Sequence, residues 1–305
     1  MDFKLENSIN KHLALPKKFG VELFIKREDQ IHPFVSGNKY RKLKYNLQEA
    51  KKECFKTLLT FGGAFSNHIA AVASAGKRFG FHTIGIIRGE ELKNKINENS
   101  TLRFAQQNGM QFKFVSRDEY RNKTSEDFLS RLKEEFGDFY LIPEGGTNPL
   151  AIKGCEEILT HEDKQFDYVC CSVGTGGTIS GLINCSKPSQ QVLGFPALKG
   201  NFLQQDISKF VTKSNWKLIA DYHFGGYAKI NEDLVTFINQ FKADYNIQLD
   251  PVYTGKMLFG IFDLAKKGYF PKGSKILAIH TGGLQGIEGM NALLKKKNLP
   301  IITTN

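Results

Sequence analysis

The sequence predicts an α/β protein of two domains, each a mainly parallel sheet layered by helices, and three observations predict it. From residue 57 onward, short apolar runs alternate with helical stretches. Strands separated by helices require right-handed crossovers, and so parallel pairing. About ten such strands are too many for one comfortable sheet, which divides them between two. The 305 residues, 41% hydrophobic and 24% charged, supply the core such a fold needs and exclude a disordered or fibrous chain.

Thr57–Phe61 reads as a buried strand and Ser66–Phe79, rich in alanine, as a helix. Thr83–Ile87 is the next strand, Glu98–Asn108 a helix, Phe112–Val115 a strand, Ser125–Phe136 a helix and Phe139–Ile142 a strand. The alternation continues through Asn148–Leu159, Tyr168–Ser172, Gly176–Asn184 and Val192–Phe195. Asn231–Tyr245 and Gly255–Lys267 read as helices, Lys275–Ile279 as a strand and Leu284–Lys295 as the closing helix. No repeat, low-complexity segment or Pro/Gly-rich linker interrupts this order. Boundaries therefore fall in ordinary loops, with a smaller α/β domain of residues 50–148 inserted in a larger one of residues 1–49 plus 149–305.

Charge and cysteine narrow the class of function. Forty-two Lys and Arg against 31 Asp and Glu leave a net charge of +11. The basic residues stand mostly beside acids, as in Lys51-Lys52-Glu53 and Arg131-Leu132-Lys133-Glu134-Glu135, which reads as a solvated surface attractive to small anions. A nucleic-acid face would concentrate them, so a non-enzymatic nucleic-acid or anion binder is only the remote alternative. Apolar runs such as Ile84–Ile87 are too short to span a membrane, and the first residues carry no secretory pattern. The five cysteines, an odd count without C-x-x-C spacing, read as buried small apolar side chains in a reduced, cytoplasmic setting, with no metal site.

Four glycine-bearing turns follow predicted strands, where α/β sheets bind ligands: Gly62-Gly63-Ala64-Phe65-Ser66-Asn67-His68, Glu144-Gly145-Gly146-Thr147-Asn148, Ser172-Val173-Gly174-Thr175-Gly176-Gly177-Thr178 and His280-Thr281-Gly282-Gly283. None is a dinucleotide or P-loop fingerprint, but the third offers backbone N–H groups at a helix start, a natural phosphate cradle. Lys39 follows a Gly-Asn turn and opens a helix with apolar positions Tyr40, Leu43 and Leu47. An amine set against the helix dipole can have its pKa lowered, which suits Schiff-base chemistry. Spacing alone still favours Lys39 and Lys42 as surface lysines. On the same footing Ser66 and Asn67 could cap a helix, Tyr227 and Tyr253 could be core aromatics, and Thr281 a turn hydroxyl.

The order of the motifs adds a further argument. Gly37-Asn38-Lys39-Tyr40-Arg41-Lys42-Leu43, the turn ending Ser66-Asn67-His68, Pro143-Glu144-Gly145-Gly146, Gly174-Thr175-Gly176-Gly177-Thr178, Asp250-Pro251-Val252-Tyr253-Thr254-Gly255-Lys256 and His280-Thr281-Gly282-Gly283 follow one another along the chain. Together they resemble the pyridoxal-phosphate enzymes of the D-cysteine desulfhydrase and 1-aminocyclopropane-1-carboxylate deaminase family, of tryptophan-synthase-β-like fold (fold type II). The resemblance implies that Lys39 holds the cofactor covalently and later moves a proton, while Lys42 and the N–H groups of Gly174, Thr175, Gly176, Gly177 and Thr178 hold its phosphate. It implies Asn67 on the ring hydroxyl, Thr281 at the pyridine nitrogen, and Ser66 at the substrate carboxylate or in proton transfer. Tyr227 and Tyr253 would be the active-site phenols.

Two positions bear on substrate. Family deaminases carry Glu where this chain has Thr254 and Leu where it has Thr281, so both threonines match the desulfhydrase pattern. The resemblance implies a homodimeric enzyme acting on a small amino acid, and the two threonines put D-cysteine first and the cyclopropane substrate second. Leu284-Gln285-Gly286-Ile287 and Ala64-Phe65 depart from the common family pattern, which bears on the substrate and leaves the cofactor untouched. His68, His280 and Glu144 are expected to be structural.

Overall fold

A computed structural model describes residues 3–35 and 37–304. The chain opens on β1 (Asn10–Leu13) and β2 (Glu22–Lys26), joined by residues 14–21 and paired antiparallel. A connection this short cannot carry a crossover, and every other strand pair is parallel. The sequence reading did not anticipate either strand, because β2 is bounded by the charged Glu22 and Lys26. Lys26 is nevertheless buried, its charge met by Asp163 at 3.0 Å.

Next come α1 (Asn38–Lys52), β3 (Thr57–Gly62), α2 (Asn67–Phe79), β4 (His82–Arg88), α3 (Ser100–Gln107), β5 (Met110–Val115), α4 (Arg117–Arg121), α5 (Glu126–Phe136) and β6 (Tyr140–Ile142). Strands β5, β4, β3 and β6 lie in that order in one parallel sheet. Adjacent residues along its central strands, Leu58 and Leu59 or Ile86 and Ile87, are buried on opposite faces. That is why these strands read as unbroken apolar runs, each such side chain contributing about 1.5–3 kcal/mol of burial.

The remaining elements are α6 (Pro149–Glu156), β7 (Tyr168–Val173), α7 (Gly177–Cys185), β8 (Gln191–Pro196), α8 (Phe202–Ser208), β9 (Trp216–Leu218), α9 (Glu232–Tyr245), α10 (Thr254–Lys266), β10 (Lys275–Ile279) and α11 (Ile287–Lys296). With the opening hairpin they form a six-stranded sheet in the order β1-β2-β10-β7-β8-β9. The fold is thus α/β with two mostly parallel sheets. The short elements α4, α8 and β9, of three to seven residues, carry too little periodicity to be read from sequence. Helix starts lie within a residue or two of their expected places, because side chains of Ser66, Asn99, Ser125, Asn148 and Asn231 cap them from outside.

Cys155, Cys170 and Cys171 are buried as expected, whereas Cys185 is half-buried and Cys54 is exposed. Cys54 sits in the turn leaving α1 with φ 61°, and there the expectation of five buried thiols fails. Among the described residues no helix is long and apolar enough to cross a membrane.

The two sheets are tied together by α1, which packs on α6 at unusually short range. A Cβ on Gly154 would stand 1.9 Å from the carbonyl oxygen of Arg41. Replacing Gly154 with Ala must therefore push the helices apart, an overpacking of about 3 kcal/mol. The expected outcome is a thermal midpoint lowered by several degrees; an unchanged midpoint would mean the two helices are free to separate.

Candidate active site

All four glycine turns open onto a single cavity of about 770 Å³ at the carboxyl ends of the strands. Its wall takes Gly63 to His68 after β3, Glu144 and Gly145 after β6, Ser172 to Gly176 after β7 and Thr281 to Gly283 after β10. Both sheets thus contribute.

Lys39 reaches this cavity because α1 starts where it does. Gly37 caps the helix with φ 56°, and a Cβ there would stand 2.1 Å from the carbonyl oxygen of Thr281, so only glycine lets the two segments meet. Lys39 is half-buried, with its Nζ 3.3 Å from Asn38 Oδ1. Burial and then the neighbouring Lys42 charge bring its amine down to about 7. The surface reading of these lysines is corrected by Lys42 in particular. It is 3% exposed, and its Nζ donates to the Gly145 carbonyl at 2.8 Å and to Thr147 Oγ1 at 3.2 Å.

In the turn entering α7 the glycines stand where a side chain would not fit. Gly176 adopts φ 87°, and a Cβ on Gly177 would stand 2.8 Å from Thr147 Oγ1 and 3.2 Å from Lys42 Cε. Gly174, Thr175, Gly176 and Thr178 line the cavity, whereas Gly177 does not. Thr178 accepts from Asn38 Nδ2 at 2.8 Å, fastening the turn to the first residue of α1. Thr175 and Thr147 share a hydrogen bond of 2.6 Å between their hydroxyls.

On the facing side Ser66 caps α2, its Oγ accepting from the Ile69 N–H at 3.3 Å, and it also lines the cavity. Asn67 takes the space a Cβ on Gly283 would need, and its Oδ1 is buried without a hydrogen-bond partner. Thr281 lies 3.4 Å, hydroxyl to hydroxyl, from Ser172 at the end of β7. Tyr227 and Tyr253 meet edge to face with ring centroids 6.2 Å apart. Burial, reinforced by Tyr227 and Asp250, holds the Tyr253 phenol well above its ordinary range, so it stays protonated. Among the further wall residues, Arg88 was not singled out from the sequence, and Asp250 was named there only as part of a motif, with no role. A charged residue ending the buried strand β4 was the available signal for Arg88.

Thr254 is different. It is fully buried, it does not line the cavity, and its hydroxyl donates to Asp250 Oδ2 at 2.5 Å. Its side chain thus faces the turn behind the wall, so any bearing of this position on substrate would act through Asp250 and that turn. His68 is buried against Thr60 (2.8 Å), and burial with the charges of Lys39 and Lys42 holds it well below its usual range, hence neutral.

A lysine of weakened basicity, a glycine-rich turn at a helix N-terminus and a side-chain amide oxygen without a partner line one cavity, a set suited to an anionic, carbonyl-bearing cofactor. The chain belongs to the pyridoxal-phosphate-dependent enzymes, the family that matches residues 7–282. It is 32% identical to a Pyrococcus horikoshii protein provisionally named 1-aminocyclopropane-1-carboxylate deaminase, over 89% of this chain and 87% of that one. It is 30% identical to an Arabidopsis thaliana protein named bifunctional D-cysteine desulfhydrase/1-aminocyclopropane-1-carboxylate deaminase, over 88% and 74% respectively. The solved structure of a 1-aminocyclopropane-1-carboxylate deaminase homologue, 28% identical, superposes over 94% of each chain with a TM-score of 0.78. The unpartnered Asn67 oxygen and the cleared turn fit pyridoxal phosphate as the cofactor.

The Lys39 amine should be protonated below and free above a midpoint near 7, against an ordinary 10.5. Acylation of the cofactor-free protein across pH, followed on the Lys39 peptide by mass spectrometry, reads that midpoint. Because the Lys42 charge is one of the two causes, Lys42→Met should move it upward; a midpoint unmoved by that change would leave burial as the only cause.

Proposed function

We propose that this enzyme converts D-cysteine and water to pyruvate, hydrogen sulfide and ammonia. The observation that carries the reading is Lys39, an amine near neutrality opening into the cavity that also holds the cleared turn. Pyridoxal phosphate, when bound, supplies the electron sink that makes the α-proton of an amino acid removable. Lys39 would hold the cofactor, Lys42 and residues 174–178 its phosphate, Asn67 its hydroxyl and Thr281 its ring nitrogen.

The chain's own groups then divide the work. The start of α2, with Ser66, receives the substrate carboxylate, since unpaired N–H groups at a helix N-terminus favour an anion. Lys39, present as both base and acid near pH 7, takes the α-proton. Tyr253, held protonated by burial, and Tyr227 beside it give a proton to the departing thiolate. Thr281 carries no charge, so it leaves the ring nitrogen a weaker sink, sufficient to expel a good leaving group from the β-carbon.

The names of the archaeal and plant relatives favour a second reading, opening of 1-aminocyclopropane-1-carboxylate to 2-oxobutanoate and ammonia. Breaking a ring carbon–carbon bond calls for more activation, such as a carboxylate near the site. The one nearest Tyr253, Asp250, has both oxygens engaged by the N–H groups of Val252, Tyr253 and Thr254 and by the Thr254 hydroxyl. That favours the desulfhydrase.

Offering D-cysteine and 1-aminocyclopropane-1-carboxylate separately, with keto acids identified by mass spectrometry, tests the choice. Pyruvate with sulfide is expected; 2-oxobutanoate as the main product would reverse it. Lys39→Ala should abolish turnover on either substrate together with the cofactor's visible absorbance, and a fully active Lys39→Ala protein would sink both readings.

A further inference from the structure

We propose that Lys256 is a positioning residue: from inside the fold, its ammonium clamps the loop of residues 223–229 in the conformation that carries the Tyr227 phenol to the cleft. Lys256 lies in the first turn of α10 and is 2% exposed. Its Nζ donates to the carbonyl oxygens of His223 and Gly226, each at 2.8 Å. Among the described residues no carboxylate lies within ion-pair distance of it. A buried charge with no counter-ion is retained against a large desolvation penalty, so the two carbonyls it grips must be its purpose.

The loop needs a clamp. Phe224, Gly225, Gly226 and Ala228 have φ of 54°, 90°, 117° and 54°, so four residues around Tyr227 sit in the left-handed region. Two of them carry side chains, for which that region is unfavourable, and such strain persists only where surrounding contacts hold it. The His223 carbonyl also accepts from the Gly226 N–H at 3.0 Å, and the Gly226 carbonyl from the Lys229 N–H at 3.2 Å. Each carbonyl therefore uses one lone pair on the turn and one on Lys256. Burial brings the Lys256 amine only to about 8, with Asp250 acting in the opposite direction, so the clamp is charged at neutral pH.

The geometry also links the two phenols. Tyr253 immediately precedes α10 and Lys256 is three residues on, so one side chain ties the helix bearing Tyr253 to the loop bearing Tyr227. The 6.2 Å edge-to-face arrangement of the rings depends on that tie. The catalytic half of this inference rests on the proton-donating role proposed above for Tyr227; the clamp itself does not.

The test compares holoenzyme with Lys256→Met, which keeps the unbranched stem and removes the charge and donors. Chymotryptic cleavage after Phe224 or Tyr227 should become several-fold faster, as the loop opens locally. On the preferred substrate kcat should fall by roughly tenfold or more with KM little changed, as displacement of a reacting group predicts. In a Tyr227→Phe background, Lys256→Met should cost less than about a further twofold, because the two changes remove one function. Wild-type cleavage, or a full additive loss in that background, overturns the proposal and leaves Lys256 a packing residue. Should Lys256→Met not fold, Lys256→Gln, which keeps one donor, must show the same pattern at smaller size, and wild-type cleavage there overturns it equally. If Tyr227→Phe alone is fully active, the role given to Tyr227 falls, while the cleavage rate still decides whether the clamp exists.

Discussion

The placement of α1 is the constraint on which the cleft depends. Its backbone touches α6 at Gly154, and its Arg41 guanidinium reaches back to Glu28 with paired hydrogen bonds of 2.9 and 2.8 Å, in a region closed to solvent. A buried, bidentate pair of this kind adds little net stability against two well-packed apolar residues, but it admits only one geometry. Held from both sides, the first turn of α1 can point in one direction. Lys39 then faces the cavity, and Lys42, one turn later, faces the carbonyl of Gly145. The contact of Gly37 with the Thr281 backbone closes the arrangement from the β10 side. Lysine, glycine turn and threonine come from distant parts of the chain, and one helix brings them to the same place.

That arrangement has an electrostatic consequence. Lys39 and Lys42 lie one turn apart, both with amines depressed by burial and neither within ion-pair distance of a carboxylate among the described residues. The N-terminus of α7 adds partial positive charge at the same point. The floor of the cleft is therefore biased positive, with no carboxylate paired to either amine among the described residues. A phosphate group balances that charge, and any ligand that does so stabilises the fold by mass action, about 4 kcal/mol at a thousandfold excess over its dissociation constant. Cofactor and fold are in this sense mutually dependent, though the sheets' apolar cores account for the scaffold.

Much of this was legible in the sequence, and the part that was not has identifiable causes. Central strands such as β3, β4, β7 and β10 are buried on both faces and announce themselves as continuous apolar runs. β2 does not, because its Lys26 ends inside the protein on an aspartate 137 positions downstream in the chain, a partner no local pattern can reveal. The same reason hid Lys42: a lysine on an amphipathic helix looks solvated until the Gly145 carbonyl is seen above it. The residues of the cleft wall were found as ordered motifs, yet spacing alone left each of them with a bland alternative. Lys256 stood in one of those motifs and was passed over, since what it binds is backbone, which has no sequence signature.

Thr254 shows how far a motif position can differ from a physical role. Its hydroxyl and N–H both go to Asp250, whose other oxygen takes the N–H groups of Val252 and Tyr253. The whole turn is folded around that one carboxylate. A glutamate at this position could not repeat the bond from the hydroxyl, and its charge would be repelled by Asp250, so it would have to turn elsewhere. The residue type at 254 thus decides whether this turn offers a second carboxylate or consumes the one it has. In this chain that carboxylate is taken up by three backbone N–H groups and by the Thr254 hydroxyl, so the turn behind Tyr253 presents no free acid of its own.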